Sequence, residues 1–300
     1  TTWRFYALVA FLGSIVLIGL GTCAYQMFNG FGVTGINNPL FWPFYITPLL
    51  IWHAAAPPPP LPPRHPPLVH PPLGGPTEDF GALPRAPDGA AAVLAAAGVD
   101  ILFVPTVDIM YPPGANTRVD PGPLAMVLCG AARPGHFTGV ATVVTKLFNI
   151  VSPDIAFFGD KDYQQLKILQ KVARDLDLRV RVVGYPIIRE GDGLAMSSRN
   201  RYLTAEQRSH ATVLQRALSA AHDQACSGDT DAEGLARGIL QTIEREEGIE
   251  LEYAVVVDAE TFEPVTILQR PARALVAARV GSARLIDNVA ILLLGMCDEH

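Results

Sequence analysis

The chain has 300 residues, with 23 basic and 29 acidic side chains, a formal net charge of −6 and 49% hydrophobic residues. Residues 1–75 hold two charges, Arg4 and Arg64, so residues 76–300 carry the other 21 bases and all 29 acids. That acidic portion excludes a non-specific nucleic-acid binder, which needs a basic face. Four scattered cysteines with no CxxC signal neither a zinc site nor a disulfide framework.

The length allows about two domains, and the chain opens at Thr1 rather than Met, as a fragment or processed product would. From Phe5 to Pro63 there is no Asp, Glu, Lys or Arg. As a helix, Phe5–Phe28 would reach about 36 Å, against a hydrocarbon core of about 30 Å. A transmembrane span over 5–28 is therefore expected, because the apolar run is too long for a signal peptide. Residues 40–56 form a second apolar stretch with Trp42, Tyr45 and Trp52 suited to a membrane interface. Pro43 and Pro48 interrupt it, which leaves a full or a re-entrant span open. Residues 57–76 contain eleven prolines and read as an extended polyproline II linker or a PxxP ligand.

Beyond Glu78 the pattern is that of an α/β enzyme. Ile101–Pro105 reads as a buried strand. His136–Val151 places Val140, Val143, Val144, Leu147 and Phe148 on one helical face. Asp154–Gly159 is a strand, Asp162–Leu176 a helix with Leu166, Leu169, Val172 and Leu176 inward, and Val180–Gly184 the next strand. This alternation predicts a parallel sheet. After Ile187 the rhythm changes. Thr204-Ala-Glu-Gln207 is a capping box for a helix running toward Gln224, and Asp231–Glu246 is a second helix ended near Gly248. Leu251–Val257, Ala274–Val280 and Arg284–Leu293 read as strands of a smaller α+β domain.

Two constellations carry chemistry. Gly159-Asp160-Lys161-Asp162-Tyr163-Gln164-Gln165 lies at the carboxyl end of a strand, where open α/β sheets bind ligands. Helix-start N–H groups and a lysine make an anion site there. Asp162 either caps the helix or orients a metal or Lys161, and Gln165 can hydrogen-bond a small polar substrate. The bland alternative is a plain strand-to-helix turn with a surface lysine. Gly193-Leu-Ala-Met-Ser-Ser-Arg-Asn200 is a loop whose hydroxyls and arginine suit phosphate oxygens, or else a solvated polar loop. Arg133-Pro-Gly-His136 is a third candidate, with His136 a cap or part of a site wall. No GxxxxGK[ST] occurs, which excludes a P-loop enzyme.

The segments RPGHFTGVATVVTKLFNIVSPDIAFFGDKDYQQL and VVGYPIIREGDGLAMSSRNRYLTAEQR closely resemble the pantothenate synthetase (pantoate–β-alanine ligase) family, and the likeness extends over residues 79–295. It implies a Rossmann-like nucleotidyltransferase domain, related to class I aminoacyl-tRNA synthetases, with an α+β C-terminal lid. The implied activity uses ATP and Mg²⁺ to make pantoyl adenylate, which β-alanine then attacks to give pantothenate and AMP. By position, Gly159, Asp160, Lys161, Asp162, Ile188, Met196, Ser197, Ser198 and Arg199 would bind ATP. Gln165 would bind pantoate, Lys161 and Arg199 would stabilise the transition state, and Arg133 and His136 would line the site. No residue is assigned as a metal ligand. The resemblance implies homodimers and a cytoplasmic enzyme portion.

Two positions depart from the family pattern: Asp160 replaces a Glu, and Cys129 stands where the family commonly has the Glu of a Leu-Glu-Gly. The family's upstream Met-Gly-x-Leu-His-x-Gly-His segment is missing, because His53, His65 and His70 lack that spacing. Impaired catalysis is expected from that loss, and unpaired edges where the family's central strands would lie. The implied organisation is an apolar membrane segment (1–56), a linker (57–77), a truncated nucleotide-binding domain (78–187) and a lid domain (188–300). Residues 3–47 resemble, more weakly, the first span of polysulfide-reductase-type membrane subunits, which would anchor the chain through residues 5–56. Two alternatives stay open: a membrane-tethered ATP-binding relative without catalysis, and a chimera of two unrelated coding fragments.

Overall fold

A computed structural model describes residues 107–292, together with the backbone of two strands, β1 (Ala7–Phe11) and β2 (Ser14–Ile18). The expected second apolar span (40–56), the proline linker and the strand Ile101–Pro105 lie outside the described residues. The chain separates into two compact units. One comprises the residues up to Asp160 and Gln164–Tyr185; the other comprises Lys161–Tyr163 and the residues from Pro186 onward.

Two stretches of the expected membrane helix are extended instead. β1 and β2 form an antiparallel hairpin, and β2 pairs antiparallel with β3 (Ile155–Gly159) through Val16 and Leu17. Short apolar runs rich in Val and Ile satisfy a strand as well as a helix, so periodicity alone does not separate the two. Among the described residues no helix is long and apolar enough to cross a membrane. The pairing also gives β3 a neighbour on each edge, where an unpaired edge was expected. The sheet runs β1-β2-β3-β4 and is mixed, its parallel pair being β3 with β4 (Arg181–Tyr185).

The first unit continues with α1 (Val107–Met110), a 3-10 turn at Pro123–Ala125, α2 (Cys129–Ala132) and α3 (His136–Val151). Gly135 opens α3 at a φ of 80°, and Ser152 closes it in the left-handed region, its N–H donating to Phe148 O. Pro153 follows, so the helix stops there. Val140, Val143, Val144, Leu147 and Phe148 are buried, as their spacing predicts, and the Phe148 ring meets Phe158 of β3 edge-on at 6.3 Å. A 3-10 turn, Asp160–Asp162, leads to α4 (Tyr163–Asp175), which buries Leu166, Ile168, Leu169 and Val172. Leu176, expected inward, is 48% exposed because the helix ends one residue before it.

In the second unit a 3-10 turn, Ser198–Tyr202, precedes α5 (Ala205–Ala211). The Thr204 hydroxyl accepts from Gln207 N while the Gln207 amide accepts from Thr204 N, which completes the capping box. The single helix expected here is two. The hydroxyl of Thr212 bonds the Ser209 carbonyl, competing with the helical ladder, and α6 (Val213–Cys226) starts afresh. Cys226 at its end is disulfide-bonded, which the scattered cysteine spacing does not announce. Asp231 caps α7 (Ala232–Glu244), and Gly248 reverses the chain at a φ of 74°.

The antiparallel sheet β5-β6-β7 then forms from Ile249–Asp258, Ala272–Val280 and Ala283–Ile291. α6 and α7 lay Leu214, Leu218, Leu235, Ile239 and Ile243 on its inner residues Ala274, Val276 and Leu285. Leu235 is 1% exposed, so Leu235→Ala is expected to destabilise the second unit by about 2–5 kcal/mol, read from urea unfolding.

Candidate active site

β3 carries the chain to Gly159, which pairs with Tyr185 at the carboxyl end of the parallel strands. Asp160 follows, and its carboxylate lies over Gly184, where any Cβ would collide with Oδ1. A larger residue opposite Asp160 would push that carboxylate aside. Gln164 and Gln165 at the start of α4 are each 5% exposed, and their roles differ. The Gln164 amide donates to the Leu124 and Val127 carbonyls at 2.9 and 2.8 Å, and its oxygen accepts from Cys129 N at 3.1 Å. Three bonds thus hold residues 124–129 to α4, while the amide of Gln165 takes no part in them. Sequence reasoning assigned Gln165 and missed Gln164, although a glutamine pair at a helix start was the available signal.

The segment that Gln164 holds is tightly built. Leu128 has a φ of 49°, and a Cβ on Gly130 would overlap the Ala125 carbonyl. Cys129 contributes its backbone to this loop, and its sulfur is not in a disulfide. Arg133 and His136 come together, Nη1 to Nε2, at 3.3 Å, with the imidazole 5.1 Å from the Phe137 ring. His136 is the first residue of α3, as expected.

In the second unit, residues 188–196 form a hairpin. Arg189 bridges Ala195, Glu190 N donates to Leu194 O, and Met196 N donates to Ile188 O at 2.9 Å. This places the two expected ATP contacts Ile188 and Met196 side by side. Gly193 turns the hairpin at a φ of 88°, a conformation in which other side chains are strained. Ser197 follows, 3% exposed, and its hydroxyl oxygen accepts from Arg199 N at 3.3 Å. Its O–H remains a donor. Ser198 and Arg199 are half-buried, and Arg199 Nη1 donates to the Arg284 carbonyl at 3.3 Å.

This loop is held by Asn200, whose amide was expected among the phosphate donors, and by residues that the sequence did not single out. Asn200, 4% exposed, donates to Glu190 Oε1 and to the Ala195 carbonyl. Arg208 of α5 bonds Glu190 and Asp192 at 2.6 and 2.7 Å. Burial pushes the Asp192 carboxyl up, but the Arg208 and Leu194 N–H bonds outweigh it, so its pKa lies below the ordinary value. Above all, Arg189 grips Asp287 of β7 with two bonds, at 2.7 and 3.1 Å. The next residue, Asn288, donates its amide N–H to the Lys161 carbonyl at 3.0 Å. One strand thus holds the Met196–Arg199 loop through Arg284 and Asp287, and the Lys161 backbone through Asn288.

The turn after β5 seats Tyr163. Its hydroxyl donates to Ala259 O at 3.0 Å, and its ring lies 5.8 Å from that of Phe262. Asp258 Oδ1 organises the turn by accepting from Glu260 N, Thr261 N and the Thr261 hydroxyl, while Arg270 pairs with Oδ2. Burial alone would raise the Asp258 pKa, and these bonds bring it below the ordinary value instead. Among the described residues no group of three or more His, Cys, Asp or Glu side chains could hold a metal ion.

Residues 68–290 match the family model for pantoate–β-alanine ligase. The chain belongs to the pantoate–β-alanine ligase family. Curated pantothenate synthetases from Sphingopyxis alaskensis and Acidobacterium capsulatum are 48% and 49% identical to it over 225 and 224 residues. The alignments cover 75% of this chain in both cases, and 80% and 75% of those enzymes. A crystal structure of the Thermus thermophilus pantothenate synthetase superposes with a TM-score of 0.68 at 47% identity, covering 72% of this chain and 79% of that one. The Francisella tularensis ligase, crystallised with βγ-ATP and β-alanine, matches at a TM-score of 0.50 and 31% identity, covering 66% and 67% of the two chains. The fold of this family is the α/β nucleotidyltransferase type that the motifs imply.

Two outcomes follow from the ion pairs Arg189–Asp287 and Arg270–Asp258. The Asp287 side chain is 2% exposed, so Arg189→Ala strands a buried charge and is expected to cost about 3–5 kcal/mol in urea unfolding. The folded pKa of Asp258 lies below its unfolded value near 3.9. Its contribution is therefore full above about pH 4 and is lost as pH falls through the lower folded value. Asp258→Asn is expected to flatten the loss of stability below about pH 4, measured by thermal unfolding across that range.

Proposed function

We propose that this chain binds ATP and pantoate and forms pantoyl adenylate, on which β-alanine acts to give pantothenate. The observation that carries this reading is the hold of β7 on both phosphate-type elements of the second unit: the Lys161 carbonyl through Asn288, and the Met196–Arg199 loop through Arg284 and the Arg189–Asp287 pair. Preorganised cations of this kind stabilise a phosphoryl transition state without having to reorganise during the reaction.

In this reading Gly159, Asp160, Lys161, Asp162, Ile188, Met196, Ser197, Ser198 and Arg199 bind ATP. Lys161 and Arg199 face the charge that develops when a pantoate carboxylate oxygen attacks the α-phosphorus and pyrophosphate departs. Ser197 supports the assignment because its hydroxyl oxygen caps the turn while its O–H stays available to a phosphate. Gln165 orients pantoate, a role its burial supports. Arg133 and His136 form a paired wall. The amine of β-alanine then attacks the acyl carbon and AMP leaves. A Mg²⁺ arriving with the triphosphate would need only one or two protein carboxylates; Asp162 would be the one to offer, and the ion would neutralise phosphate charge.

The 300 residues contain no His-x-Gly-His. Loss of one preorganised donor costs about 3–4 kcal/mol, so turnover by this chain falls short of that of the full family machinery. The test is AMP release from ATP, pantoate and β-alanine, alongside ATP binding by calorimetry. AMP release at least roughly a hundredfold below that of the Thermus thermophilus enzyme is expected, and equal turnover would contradict the impairment. Lys161→Ala and Arg199→Ala should each weaken ATP binding by about tenfold or more, as loss of a hydrogen bond to a charged group does. Unchanged binding in both variants would overturn the site assignment.

A further inference from the structure

Lys161 lies on a short 3-10 turn, and one long side chain on such a turn is aimed only as well as its backbone is held. Two features hold it within the second unit. Asn288 Nδ2 donates to the Lys161 carbonyl at 3.0 Å, and Asn288 is itself 2% exposed. Two residues further along, the Tyr163 ring is covered by the Arg273 guanidinium at 4.3 Å. The same Arg273 donates its Nε–H to Asn288 Oδ1 at 2.7 Å.

This closes a circuit whose chemistry leaves no choice of orientation. Arginine has donors only, and a backbone carbonyl is only an acceptor. With Arg273 on one side and the Lys161 carbonyl on the other, the Asn288 amide must present oxygen to the first and nitrogen to the second. The sheet register makes the pair possible. Arg273 on β6 lies opposite Ala290 of β7, so Asn288 is its diagonal neighbour on the same face. Asp287, one residue away, points to the other face and takes Arg189.

We propose that Asn288, locked by Arg273, is a positioning residue that aims Lys161 at the phosphates of ATP. The inference rests on the reading of Lys161 given above. Neither Asn288 nor Arg273 touches the substrate in this account. Both act by fixing the peptide from which the lysine departs.

A double-mutant cycle on the full chain tests it, with MgATP as the probe and affinity read by calorimetry. Asn288→Asp keeps the acceptor for Arg273 but turns a carboxylate oxygen toward the Lys161 carbonyl, which removes the donor. Weakening of roughly tenfold is expected, within the range for residues coupled in one network. In a Lys161→Ala background the same substitution should have no further effect, because there is no ammonium left to aim. A merely structural role would weaken both backgrounds equally, and that result overturns the inference while leaving the ATP reading intact. If Lys161→Ala alone leaves ATP affinity unchanged, or if the unaltered chain binds no ATP, the functional reading fails and the inference falls with it. Should Asn288→Asp not fold, as judged by its thermal transition, Arg273→Gln at the half-buried partner position carries the same cycle. The same pattern is expected, and equal weakening in both backgrounds is again the overturning result.

Discussion

A carboxylate taken out of water has to be paired, and the Asp287 side chain keeps only 2% of its surface exposed. That requirement organises the second unit. The partner is Arg189, whose fork takes both oxygens and also reaches the Gly193 carbonyl. With Arg189 fixed, the hairpin from Ile188 to Met196 is fixed, and the Ser197–Tyr202 turn begins where the hairpin ends. Charge pairing on a single strand thereby sets the position of a hairpin 98 residues earlier in the chain.

The hairpin is held unevenly. At its base are the Asp287 pair and buried Asn200, where desolvation makes each lost partner expensive. At its tip Arg208 meets Glu190 and Asp192 with all three groups partly open to solvent. The Arg208–Asp192 pair, open to solvent on both sides, contributes about 0–1 kcal/mol. The Met196–Arg199 loop, proposed above to meet ATP, follows directly from the strongly held base.

Much of this was legible along the chain. Helices α3 and α7, the capping box at Thr204 and the three C-terminal strands follow from periodicity and cap chemistry, which are local properties. Lys161, Gln165 and Ser197–Arg199 stand in runs whose residue types already point to phosphate and a small polar substrate. The supporting residues were not legible. Asp287 and Asn288 sit in a strand as an ordinary polar pair, and Gln164 looks no different from Gln165. Their roles depend on partners 98, 127 and up to 40 residues away, and no window of sequence holds both ends.

The apolar N-terminal stretch teaches the same lesson in reverse. Its composition fits a membrane helix, yet Ala7–Phe11 and Ser14–Ile18 pair as strands, and β2 extends the sheet at β3. By itself the sequence determined which residues are apolar, where most helices lie and how they are capped, and which runs carry side chains suited to phosphate and a small polar substrate. Only the tertiary structure decided what those apolar runs pair with, and which buried donors and acceptors hold Lys161 and the Ser197–Arg199 loop. Local propensity is written in neighbouring residues, whereas the satisfaction of a buried polar group is settled by whatever the fold brings against it.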